Sequence, residues 1–136
     1  VNEGKYVIFF NVYGFTNGHY SRSQALRTSR IFAAIREELK HFPQCPIFVL
    51  GDFNADIDDI PDLKALVEEG WIELGAHEAY TSKPNSPTCF PHANDAVPSR
   101  RDYVLASPEA AKDVVAFAVH KEPHNDTCAP PGGDAH

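Results

Sequence analysis

The sequence of 136 residues has no methionine, three cysteines with no Cys-x2-Cys pair, and twelve lysines and arginines against nineteen aspartates and glutamates. Each shortage excludes something. An odd cysteine count without such a pair argues against a disulfide framework and is compatible with a reducing compartment. The net charge of −7 argues against tight, salt-driven binding to a polyanion, because each neutralised phosphate needs a Lys or Arg; it leaves room for an enzyme that cuts one. The longest apolar run, Tyr6–Phe10, is far too short to span a bilayer, and no basic stretch followed by an apolar segment opens the sequence. A chain that begins at Val1 and lacks Met reads as part of a longer protein, so its compartment is left open. No internal repeat or low-complexity run appears.

What is present suits one soluble globular domain over 1–136: 43% of residues are hydrophobic and 23% charged. Lys5–Tyr13 is rich in β-branched and aromatic residues and predicts a buried strand closed by Gly14. From Ser21, a candidate cap, the pattern turns helical, with Ile31, Phe32, Ile35 and Leu39 on one stripe, and Pro43 and Pro46 end it. Ile47–Leu50 predicts a short strand covered on both faces, stopping at Gly51. Asp59–Glu69 predicts a second helix with Leu63, Leu66 and Val67 inward and Gly70 as its stop. Strands are predicted over Trp71–Leu74, Tyr103–Ala106 and Val114–His120, with a helical turn at Pro108–Lys112 and a proline-rich loop over Glu78–Arg100. The tail 123–136, with three prolines and two glycines, predicts poor order. Alternating strands and helices point to a sheet covered by helices.

The sharpest local signal is Gly51-Asp52-Phe53-Asn54-Ala55-Asp56, directly after the second strand. A carboxylate and a carboxamide two residues apart in extended chain project from one side into one cleft. That pair suits phosphate-ester hydrolysis: Asp52 can orient or deprotonate a water, and Asn54 can donate to a phosphate oxygen or bind a hard cation. The plain alternative is a turn, for which Gly, Asp and Asn are common residues.

GDFNAD, the earlier Asn11-Val12-Tyr13 and the later Ser99-Arg100-Arg101-Asp102-Tyr103-Val104-Leu105 together resemble the later motifs of the endonuclease/exonuclease/phosphatase superfamily. The resemblance covers essentially the whole chain. It implies a DNase-I-like four-layer α/β/β/α sandwich, here mainly its later half, a mixed β-sheet covered by helices, with the N-terminal part of the domain absent. Such a half would expose the face that packs on the partner sheet. It also implies roles. Tyr13 would contact the scissile phosphate, Asp52 the attacking water, Asn54 the phosphate or metal, and Asp102 a catalytic His, fixing its tautomer. Asn11 would support substrate binding, although a buried strand Asn satisfied by backbone is the simpler reading. Arg101 replaces the family's usual aliphatic residue, a charge expected to pack inward unless it turns toward phosphate. The family's closing Ser-Asp-His is replaced by Gly132-Gly133-Asp134-Ala135-His136, where Asp134 could serve the metal and His136 the imidazole. The upstream asparagine and metal-binding glutamate have no counterpart here, and Glu3 is wrongly placed to substitute.

The implied activity is a Mg²⁺- or Mn²⁺-dependent phosphodiesterase, an endonuclease of nuclease or retroelement type with nucleic acid as substrate, by water attack on phosphate. Arg22, Arg27, Arg30 and Arg36 could meet a nucleic-acid backbone, or simply form a solvated helix face. The alternatives are a catalytically silent scaffold of the same fold, a phosphoinositide or lipid phosphodiesterase, and a zinc module built on Cys89-x2-His92, His120-x3-His124 and Cys128. No protein partner can be read from the sequence.

Overall fold

The computed structural model describes residues 6–91, 97–120 and 127–128. A strand β1 (Ile8–Tyr13) leads through helix α1 (Arg22–Leu39) to strand β2 (Ile47–Asp52), then helix α2 (Pro61–Glu68) and strand β3 (Ile72–Glu73). A pair of residues, β4 (Phe90–Pro91), precedes strand β5 (Asp102–Ala106), the one-turn helix α3 (Pro108–Ala111) and β6 (Thr127–Cys128). The main sheet runs β1-β2-β5-β3. β1 is parallel to β2, β5 is antiparallel to both its neighbours, and β4 pairs with β6 in a separate parallel ladder. The parallel pair requires a crossover, which α1 supplies.

The sheet is mixed and covered by helices, as the sequence predicts. The alternating pattern sends Ile8, Phe10 and Val12 of β1, Ile47 and Val49 of β2, and Tyr103 and Leu105 of β5 to the face under α1 and α2. There they meet Ala25, Phe32 and Ile35 of α1 and Leu63 and Leu66 of α2. Ser29 Oγ donates to Asp62 Oδ2 at 2.9 Å and accepts from Asp62 N at 3.0 Å, while Arg36 reaches Asp62 and Glu69, so α1 and α2 are tied at their polar rim. Ser21 occupies the α1 cap position in extended conformation, but its hydroxyl bonds the Ser23 hydroxyl rather than a backbone N–H of the helix.

The opposite face is unevenly covered. Toward β5 and β3 it packs Phe48, Val104, Ala106 and Ile72 against Leu74, Ala110, Ala111, Tyr80, Val114 and Phe117. Toward β1 it opens: Phe9 is 64% exposed, with its ring stacked on Phe48 at 5.3 Å. Phe48 and Leu50 are therefore half-buried, and β2 is fully covered on one face only, not on both.

Four further expectations are corrected. Val67 lies 39% exposed, because only the Leu63–Leu66 stripe of this short helix reaches the core. Residues 114–120 form no strand: Val114 and Phe117 pack inward three residues apart while Val115 is 90% exposed, so the period of two fails there. Cys89 is disulfide-bonded whereas Cys45 is free, a bond the sequence did not predict, and it removes Cys89 as a zinc thiolate. The low cysteine number hid a single bond that closes a loop rather than a framework. Of the tail 123–136, the described residues are Thr127 and Cys128, so Asp134 and His136 lie outside the described residues, as do His92 and His124.

Two glycines are required by close approach. Gly51 has φ +136°, and a Cβ there would lie 2.0 Å from the Val12 carbonyl oxygen; a Cβ on Gly14 would lie 2.2 Å from that of Phe53. Both hold β1 and its outgoing loop against β2.

Two tests follow from this packing. Thiol titration of the unfolded, unreduced chain should find one thiol, and three after reduction; three before reduction would contradict the disulfide. The buried carboxylate of Glu73 pairs with the buried guanidinium of Arg100, which also caps the Tyr103 ring at 4.7 Å. Glu73→Gln leaves that cation uncompensated and should cost about 3–5 kcal/mol in chemical denaturation, whereas a loss no greater than that of a surface substitution would show the pair to be dispensable.

Candidate active site

The ends of three strands bring the three sequence motifs together. Tyr13, the last residue of β1, is the register partner of Asp52, the last of β2, and Asp52 is in turn the partner of Asp102, the first of β5. Directly opposed residues of neighbouring strands project to the same side of a sheet. Tyr13, Asp52 and Asp102 thus form one row along a sheet edge, on the face away from α1 and α2. Tyr13 is 54% exposed and Asp102 is exposed. Asn11 stands on the same face two residues before Tyr13 and is also exposed, contrary to the expectation of a buried, backbone-satisfied asparagine.

The GDFNAD segment is both a turn and part of this row. Asp52 Oδ1 accepts from Asn54 N at 3.0 Å, an Asx-type closure, and Asn54 adopts φ +53°. The chain therefore bends at Asn54 instead of running on extended, and the carboxamide, 1% exposed, turns beneath the row. Its Nδ2 donates to the Gly14 carbonyl at 2.9 Å, and its side chain also hydrogen-bonds the Tyr13 hydroxyl. Asparagine tolerates the left-handed region better than other non-glycine residues, which accounts for that residue type at this bend. Phe53, fully buried, meets Phe32 edge-on at 4.9 Å and stacks on Tyr103 at 5.3 Å.

The Tyr13 hydroxyl is held above its ordinary pKa of 10.0 by desolvation and by the Asp52 carboxylate, against the lowering effect of Asn54. It stays protonated at neutral pH and can donate a hydrogen bond. Asp52 and Asp102 are like charges in directly opposed positions, an arrangement that costs a sheet stability unless a cation lies nearby. Their oxygens are hard donors suited to Mg²⁺ or Mn²⁺. Among the described residues no third His, Cys, Asp or Glu joins them, so they would supply part of an ion's shell. Asn54 contributes less directly than its sequence position suggests, since its amide nitrogen is committed to Gly14.

Arg101 is not in the row. It is 5% exposed on the helix-covered side, where its guanidinium donates to the Tyr20 hydroxyl at 3.1 Å and lies 5.7 Å from the Tyr20 ring centre. The position does pack inward, charge included, because Tyr20 and Ser99 receive it. Of the arginines on α1, Arg36 is committed to Asp62 and Glu69, and Arg27 lies over the Phe15 ring at 4.0 Å with one nitrogen on Gln24.

Sequence reasoning overlooked His19. Its side chain is 8% exposed and its Nδ1 lies 3.6 Å from Asp56 Oδ2, so the β1–α1 loop touches the GDFNAD motif. Burial pushes its pKa below 6.5 and Arg101 adds to that, while Asp56, Asp59 and the Arg100 backbone oppose it. A glycine-rich loop with one histidine, Asn17-Gly18-His19, was the available signal, too weak without the fold.

The architecture is that of a helix-covered mixed sheet with an acidic, tyrosine-bearing edge. The chain belongs to the endonuclease/exonuclease/phosphatase family, whose model matches residues 2–123. By its name that family comprises phosphoester hydrolases. Among solved structures the chain is similar to an endonuclease/exonuclease/phosphatase family protein from Bacteroides thetaiotaomicron, at 23% identity and TM-score 0.48, covering 74% of this chain and 35% of that one. It is also similar to a mannosyl-6-phosphatase from Bacteroides thetaiotaomicron VPI-5482, at 23% identity and TM-score 0.49, covering 74% and 36%. The chain thus spans well under two thirds of the length of either structure. No curated protein matches the chain significantly.

A pH test follows from His19. Its folded pKa is depressed, so below about pH 6.5 the unfolded chain binds more protons; the stability it contributes is present above that pH and is lost as pH falls. Thermal unfolding at several pH values from about 7.5 down to about 5.5 should show His19→Gln losing less stability on acidification than wild type. Equal losses in the two proteins would remove His19 as the cause.

Proposed function

We propose that the chain carries the phosphate-binding and water-orienting part of a divalent-metal-dependent phosphodiesterase, and that its substrate is the phosphodiester backbone of nucleic acid. The observation that carries this reading is the row Tyr13, Asp52, Asp102: one neutral donor beside two carboxylates at an exposed sheet edge. A phosphodiester anion approaching two carboxylates is repelled unless a cation stands between them. Asp52 and Asp102 would hold that cation in part, and when bound it would neutralise charge on the phosphoryl oxygens.

The remaining chemistry falls to the chain's own groups. The Tyr13 hydroxyl, kept protonated, donates to a non-bridging phosphoryl oxygen as negative charge grows there. Asp52 orients a water through a carboxylate oxygen and accepts its proton as the oxygen attacks phosphorus, while the opposite P–O ester bond breaks and its oxygen leaves with the bonding pair, taking a proton from solvent to become the alcohol. Asn54 holds Tyr13 and the Gly14 loop in place from below. On this reading a carboxylate oxygen of Asp102 left free by the cation would accept from an imidazole N–H, the part that the family resemblance gives to His136, which lies outside the described residues. Support for a nuclease over a phosphoinositide or lipid phosphodiesterase comes from the GDFNAD form of the motif.

Supercoiled plasmid provides the test. The chain should nick it with Mg²⁺ and not with EDTA; Asp52→Ala should abolish nicking, and Tyr13→Phe should slow it by about 10²-fold. Equal, EDTA-resistant nicking by wild type and Asp52→Ala would mark a contaminating nuclease. A folded chain that is inactive in every form would favour the silent-scaffold reading, and hydrolysis confined to phosphoinositides or lipids would move the substrate class.

A further inference from the structure

Thr88 belongs to none of the three motifs, yet it holds the start of β5. Its Oγ1 accepts from Arg101 N at 3.0 Å and from Asp102 N at 3.1 Å. On the other side the Arg101 carbonyl accepts from Phe53 N at 2.7 Å. β3 pairs with β5 only at Leu105 and Ala106, so a side-chain hydroxyl does at Asp102 what a neighbouring strand does farther along. Thr88 is itself anchored: Thr88 N and Cys89 N donate to the Ser99 carbonyl at 3.0 and 2.9 Å, and Ser99 N returns a bond to the Cys89 carbonyl at 2.9 Å. Cys89 is 3% exposed and disulfide-bonded. The whole clamp is thus tied into the interior three residues upstream of Asp102 along the Ser99–Asp102 segment.

We infer that Thr88 is a positioning residue for Asp102: its hydroxyl fixes the backbone on which that carboxylate enters the row. The inference rests on the functional reading above, in which Asp102 serves the reaction. The physical reason is that two backbone N–H groups converge on one oxygen, and removing the oxygen leaves both to seek water. The end of β5 then frays and the carboxylate loses its register opposite Asp52. A small misplacement of a catalytic group is costly to rate while leaving substrate binding elsewhere intact.

The experiment compares wild type, Thr88→Val and Thr88→Ser in the whole chain, by amide hydrogen exchange and by Mg²⁺-dependent plasmid nicking. Valine keeps the shape and removes the acceptor; serine keeps the acceptor. Thr88→Val should speed exchange at Arg101 and Asp102 by about tenfold while Val49 and Leu105 in the core are unchanged. In the same variant kcat should fall by about tenfold with KM unmoved, and Thr88→Ser should restore both. Unchanged exchange in Thr88→Val, failure of serine to rescue, or faster exchange with an unaltered kcat would each overturn the assignment. If wild type does not nick plasmid, the nuclease reading fails on its own, and the exchange pattern still decides whether Thr88 holds Asp102.

Discussion

The burial of Phe53 is the contact on which the rest of the site depends. Its ring lies fully buried between Phe32 of α1 and Tyr103 of β5. Its backbone N–H bonds the Arg101 carbonyl, and its own carbonyl lies so close to Gly14 that no Cβ fits there. One residue therefore touches all three motif segments: the end of β1, the GDFNAD turn and the start of β5. Truncating a fully buried phenylalanine typically costs about 3–5 kcal/mol, a large share of the stability of a domain of this size. With the ring in place, Asp52 and Asn54 on either side of it have little freedom: one stays at the sheet edge and the other turns under it.

Around that anchor, the chain places polar groups in positions that would be unfavourable without partners. Arg101 is buried where an aliphatic residue would pack simply, and Tyr20 and Ser99 satisfy it. Arg100 is buried beside Glu73, and Asn54 is buried against the Gly14 carbonyl. Asp52 and Asp102 face each other as like charges. Local rules are broken repeatedly within a few residues of one sheet edge, a concentration that accords with the functional reading proposed above. The open side of the sheet near Phe9 and Tyr13 keeps the row accessible.

The main elements were legible because their apolar runs and helical periodicities are strong. β1, α1, β2, α2 and β5 stand where apolar runs and four-residue patterns place them, and the family resemblance carried by the three motifs implied the mixed sheet. Short segments were less legible. The stretch 114–120 has apolar residues in number but not at strand spacing, so only packing against Tyr80 and Leu74 reveals its irregular path. The Cys89 disulfide was hidden by an odd cysteine count, since one free thiol, Cys45, disguises one bond.

Residue types and their spacing determine that Tyr13 closes a strand and that Asp52 and Asp102 lie just beyond the ends of two others, because a strand's composition and a glycine stop are local properties; pairing extends β2 through Gly51 to Asp52 and starts β5 at Asp102. Which of those side chains share a face and a row is not local. It follows from the register of β1 on β2 and of β2 on β5, which a slip of one residue would invert. The same holds for Asn54, extended by its sequence context but bent once Phe53 is buried, and for Arg101, free to reach phosphate in sequence terms but committed to Tyr20 in space. Thr88 shows the limit most plainly: thirteen residues before Arg101 in a proline-rich loop, it carries no sequence signal, and only the folded chain sets its hydroxyl against the backbone of β5.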